Sequence, residues 1–81
     1  MHVLEIRETP VHFEGIEIEE AATECLLKSP YHAVRRVFCQ YDRGTLFLQG
    51  RLPSFHQKQV AQEAVARVRG VVQVINKIEV D

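Results

Sequence analysis

An α+β domain with the order αββαβ, in which two helices pack on one face of a three-stranded mixed sheet, follows from three observations in the sequence. Apolar residues recur with helical spacing in two stretches, about 16–28 and 54–70. They alternate with a period of two in three further stretches, and Pro, Gly and short polar clusters separate one stretch from the next.

In the first helix Ile18, Ala21, Ala22, Cys25 and Leu26 form the buried stripe. Glu17, Glu19 and Glu20 suit its start and Lys28 its end, because the helix dipole favours those signs there. Gly15 is a poor N-cap candidate, and Pro30 stops the helix by forcing its predecessor out of the α region. Residues 1–15 form an N-terminal extension that reads as strand-like or flexible: Val3, Leu4, Ile6, Val11 and Phe13 are split by Pro10. Such a segment has the apolar content to pair with a sheet edge or to lie across an open sheet face. Residues 16–81 form the domain proper.

Beyond Ser29-Pro30-Tyr31, Val37, Cys39 and Tyr41 alternate with Arg36, Phe38 and Gln40. Past Asp42-Arg43-Gly44, the residues Leu46, Leu48 and Leu52 alternate with Thr45, Phe47, Gln49 and Arg51, which predicts a hairpin whose turn takes a positive φ at Gly44. Gly50 falls on the inward side, where it would let a helix lie close to the sheet. Pro53-Ser54 opens the second helix, with Ser54 and Gln57 spaced as a capping box. Val60, Ala61, Ala64, Val65 and Val68 form its stripe, Glu63 and Arg67 an i, i+4 pair, and Gly70 its C-terminal cap. From Val71 to Val80 the period is two again, with Val72, Val74, Ile78 and Val80 inward and Val71, Gln73, Ile75, Lys77 and Glu79 outward. Asn76 interrupts the apolar face near its rim. A right-handed crossover joins the second and third strands, and the first strand fills the gap between them.

The run Asp42-x-Gly44-x-Leu46-x-Leu48-x-Gly50-x-Leu52, then Ser54, Ala61, Ala64 and Val68, then Gly70-Val71-x-x-Val74-x-Asn76-x-Ile78-x-Val80, resembles the BON domain family. Leu26-x-x-Ser29-Pro30 is similar to the end of that family's opening helix, so the resemblance covers about residues 16–81. It implies an αββαβ module of bacterial envelope proteins, in the periplasm or associated with the envelope, that attaches to phospholipid membranes or serves as an interaction module. It supplies no catalytic residues.

The chemistry-bearing residues point the same way. Eighty-one residues hold one core and leave little room for an active-site cavity. The composition, 46% hydrophobic and 26% charged, is that of an ordinary globular protein. A net charge of -1 excludes a dedicated nucleic-acid binder, which needs a clustered excess of Lys and Arg, and Gly15, Gly44, Gly50 and Gly70 form no Gly-x-x-Gly loop for single-stranded RNA. The N-terminus has neither the basic start nor the apolar run of a signal peptide, and nothing approaches the roughly 18 apolar residues of a membrane span, which predicts a soluble chain. His2, His12, His32 and His56 are scattered without metal-ligand spacing, and Ser29 and Ser54 have structural work at helix boundaries. The carboxylates Glu17, Glu19, Glu20 and Glu24 read as a solvated helix face, and Cys25 and Cys39 as free core cysteines, both on inward stripes. The expectation is no enzyme, no metal and no cofactor.

What remains is the uncovered sheet face. Phe38, Phe47 and Ile75, with Gln49 among them, are ringed there by Arg36, Arg51 and Lys77, which suits an anionic phospholipid surface or a protein partner. Burying three such side chains at about 1.5 to 3 kcal/mol each is comparable to the roughly 4 to 15 kcal/mol cost of association, so a single copy binds weakly. Self-association as a homo-oligomer, through this face or an edge strand, is the alternative reading.

Overall fold

The computed structural model describes the backbone from Leu4 to Asp81 and side-chain environments from Gly15 onward; what was read into Met1, His2 and Val3 and into the side chains up to Glu14 lies outside the described residues. Helix α1 spans Leu4–Leu27, starting at Leu4 rather than Ile16. The extension read as strand-like or flexible is therefore helical from Leu4, and Gly15 is an interior residue, not a cap. Leu4, Glu5, Arg7, Glu8 and Glu14 are good helix formers, and prolonging a nucleated helix costs far less than starting one, which carries the backbone through Pro10. Ahead of Pro30, two tight turns close the C-terminal end, Lys28 N–H to Cys25 O at 3.3 Å and Ser29 N–H to Leu26 O at 3.1 Å.

A 3-10 turn, Val34–Arg36, buries Val34 and leads into β1, Phe38–Asp42. Arg36 thus sits on this turn and not in the strand. Arg43 (φ 47°) and Gly44 (φ 94°) both take the left-handed region, as a two-residue hairpin of the I′ type requires, and join β1 to β2, Thr45–Gln49. Chain direction changes at Gly50 (φ 149°) before the short β3, Arg51–Leu52. Gly50 is exposed and its nearest neighbour is Val37, so it serves the bend between β2 and β3 and not the approach of a helix.

Helix α2, Phe55–Val65, is capped by Ser54, whose hydroxyl accepts from the Gln57 N–H at 3.1 Å. The reciprocal half of the capping box is missing: Gln57 Oε1 is buried without a partner. The helix ends before Gly70, since Val68 N–H bonds Val65 O and Val71 N–H bonds Val68 O in successive tight turns. Gly70 (φ 96°) belongs to the return, where a Cβ would stand 2.6 Å from Ile18 Cδ1, and its carbonyl accepts the Tyr41 hydroxyl at 2.9 Å. Glu63 accepts from Gln59 at 3.5 Å instead of pairing with Arg67.

The last strand is also split, into β4, Gln73–Asn76, and β5, Glu79–Val80. Val71 and Val72 precede it in the turn, which reverses their expected sides: Val71 packs on the core and Val72 is 85% exposed. β2 pairs antiparallel with β1 and parallel with β4, giving the order β1-β2-β4, while β3 and β5 continue as a parallel pair. The first strand is consequently an edge, not the filler of a gap. A two-residue turn forces β1 beside β2, and the α2 crossover is long enough to return β4 to the other side of β2. The central position of β2 shows in Leu46 and Leu48, both fully buried with Ala22 and Leu26 of α1 and Ala61 and Val65 of α2. Both helices therefore cover the same face of the mixed sheet.

Candidate functional site

The pleat of β1, β2 and β4 turns Phe38, Phe47 and Ile75 away from the helices. Register sets Gln40, Phe47 and Ile75 in one row across the three strands and Phe38 opposite Gln49 in the next. Phe38 is 61% exposed and Ile75 37%, while Phe47 is half-buried with the Lys77 ammonium 5.4 Å from its ring centroid, within reach of a cation–π interaction. Gln49 is exposed between them.

The three cations differ in what holds them. Arg51 Nη2 reaches Glu79 at 3.0 Å and Nη1 reaches Asp81 at 2.9 Å. The hydrogen bond that it donates to Asp81 and the two carboxylate charges hold its guanidinium above its ordinary value. Arg51 is thus a partly neutralised cation and not a free member of the rim, because the parallel β3–β5 pairing sets Glu79 beside it. Arg36 has no ion pair among the described residues. It lines a depression of about 320 Å³ with His32, Ala33, Val37 and Arg51. His32 is the addition that a period-two reading misses, since it lies ahead of the 3-10 turn and joins Arg36 only through the turn's shape.

Side chains read as bland prove to be ties between elements. Glu19 accepts the Tyr41 N–H at 2.7 Å, so it covers a donor on the β1 edge and is not simply solvated. Thr23 Oγ1 lies 3.2 Å from Cys39 Sγ, which also reaches Glu19 O at 3.6 Å. Tyr31 and His56 meet edge to face, with Tyr31 Oη 3.2 Å from His56 Nε2, while Ser54 is occupied as a cap. Asn76, placed on a rim by its sequence position, donates from Nδ2 to Lys58 O at 3.1 Å and Gln62 Oε1 at 3.2 Å and accepts the Ile78 N–H at 3.1 Å.

Cys25 and Cys39 are free: Cys39 meets Thr23, whereas Cys25 lines a groove with Val60 and Ala64 of α2. Burial pushes the Cys39 thiol up from its ordinary 9.0, the Thr23 hydrogen bond pulls it partly back, and the Glu19 charge adds a further rise. Below the unfolded value both states keep the proton and this group leaves stability unchanged. Above it the unfolded thiol ionises first, the unfolded chain binds fewer protons, and stability falls with rising pH until the folded thiol ionises too. The urea midpoint is expected to decline from about pH 9 upward, less steeply in Cys39→Ala; equal slopes in the two proteins would refute this assignment.

Among the described residues no group of three His, Cys, Asp or Glu side chains is placed to hold a metal ion, and no helix is long and apolar enough to cross a membrane. A search of curated proteins finds no match. A comparison with protein families matches residues 17–81 to the BON domain, from the second residue of the expected core module to the end of β5 and beyond. With that match spanning both strands of the hairpin, the crossover helix and the returning strand, the chain belongs to the BON domain family.

Proposed function

We propose that this domain is a non-catalytic binding module that attaches weakly to anionic phospholipid bilayers through the open face of its sheet. The observation that carries the reading is Phe38, 61% exposed on a face that, among the described residues, neither helix covers. An aromatic ring can enter the interfacial region while Arg36 and Lys77 meet headgroup phosphates. The depression lined by His32, Arg36 and Arg51 adds a concave end to that surface, with Arg36 as its cation that has no ion pair among the described residues. Glu17, Glu20 and Glu24 lie exposed on α1 and would be repelled by an anionic membrane, whereas Arg36 and Lys77 lie on the sheet side.

The test is sedimentation with phosphatidylglycerol and with phosphatidylcholine vesicles. Binding is expected to the anionic vesicles alone, to weaken with salt, and to fall about tenfold in Phe38→Ala and in Lys77→Glu. Paired replacement Glu79→Gln with Asp81→Asn, which releases Arg51, is expected to strengthen it. Equal binding of both lipids, or indifference to all of these changes, contradicts the reading.

A further inference from the structure

We propose that the groove between α1 and the free edge of β1 receives an extended peptide segment, basic and apolar at alternate positions, as an added strand. This surface meets the open sheet face only at Phe38, and its test uses no lipid, so the proposal stands whether or not vesicles bind.

The backbone of β1 fixes which groups are free. Lys77, Glu79 and Asp81 donate their N–H groups to Leu48, Gly50 and Leu52, so the even-numbered residues of this segment direct their backbone groups toward β4 and β5. Thr45, Phe47 and Gln49 therefore bond Asp42, Gln40 and Phe38, and the groups of Cys39 and Tyr41 point outward from the sheet. The Tyr41 N–H is already taken by Glu19, an independent sign of that direction. The N–H and C=O of Cys39 and the C=O of Tyr41 are left as a strand template.

Against this edge lies a groove of about 530 Å³ bounded by α1, with Ile16, Thr23, Phe38 and three carboxylates, Glu19, Glu20 and Glu24, on its walls and, among the described residues, no basic side chain. An added strand would alternate its side chains between the helix side, where Glu20 and Glu24 lie exposed, and the sheet side, beside Phe38. Charge complementarity sets lysine or arginine on the former and an apolar residue on the latter. A second copy pairing β1 to β1 suits the groove less well, since two-fold symmetry would bring two sets of the same carboxylates together.

The experiment titrates the isotope-labelled chain with a capped Lys-Val-Lys-Val-Lys-Val peptide and reads backbone amide shifts. Saturable shifts are expected at Cys39, Tyr41 and Thr23. Methylating one central peptide nitrogen, which removes a strand hydrogen bond and leaves the charge, should weaken binding about tenfold. The double variant Glu20→Gln, Glu24→Gln should weaken it severalfold and flatten its salt dependence. A Glu-Val-Glu-Val-Glu-Val peptide should leave the spectrum unchanged. Shifts confined to Phe47 and Ile75, insensitivity to N-methylation, or sedimentation showing β1 already paired between copies would each overturn the proposal.

Discussion

Leu48→Ala is expected to destabilise the domain by about 3 to 4 kcal/mol, whereas Phe38→Ala, on the other strand and the opposite face of the same hairpin, changes stability by about 0.5 kcal/mol or less. Leu48 is fully buried on the central strand, and removing its side chain costs both transfer free energy and the cavity left between β2 and the two helices. Phe38 is mostly exposed and leaves no cavity. For a chain of this size the total stability is about 4 to 12 kcal/mol, so the leucine variant loses a large part of it and melts roughly 15 to 25 °C lower. Paired denaturant titrations decide the matter. Comparable losses in the two variants would mean that both sheet faces are enclosed.

Asn76→Ala is the second large effect, about 2 to 3 kcal/mol, although nothing in its residue type marks it as a core position. Its orientation is settled by its partners: Lys58 O can only accept and the Ile78 N–H can only donate. The amide ties the break between β4 and β5 to α2, and alanine removes all three bonds while leaving the Ile78 N–H unpaired. Asn76→Asp offers a sharper control. It keeps the acceptor for Ile78 but turns a carboxylate toward two oxygen atoms, which raises its folded pKa above the unfolded value. Stability should then be retained below the unfolded value and lost as pH rises through the folded one, a trend absent in Asn76→Ala; a pH-independent Asp variant would contradict the assigned contacts.

The parts legible in the sequence are those in which one physical constraint dominates. Period-two alternation set the sides of Cys39, Leu46, Leu48 and Leu52 and of Phe38 and Phe47, because a strand allows only two. Ser54 was readable as a cap because few residues can satisfy a helix start. Where alternation met an irregular backbone it failed, as at Val71 and Val72, which lie in the turn before β4 and exchanged their expected sides. The strand order was not readable from periodicity, which says which face a residue takes and nothing of its neighbour across the ladder. Individual polar partners were equally hidden: Glu19 beside Tyr41, and Arg51 between Glu79 and Asp81, come together only through helix docking and parallel pairing. Of the seven residues read as the binding surface, Arg51 is the one whose charge the fold partly neutralises with carboxylates.

The chain contains no tryptophan, so Phe38→Trp gives a single fluorescent reporter on the face in question. With phosphatidylglycerol vesicles the emission should move from a solvent-exposed to a blue-shifted position and be quenched by bromine carried on the lipid chains. A reporter that is blue-shifted before any lipid is added, or one that vesicles leave unaltered at saturating lipid, would show that the sheet does not meet the bilayer through this side.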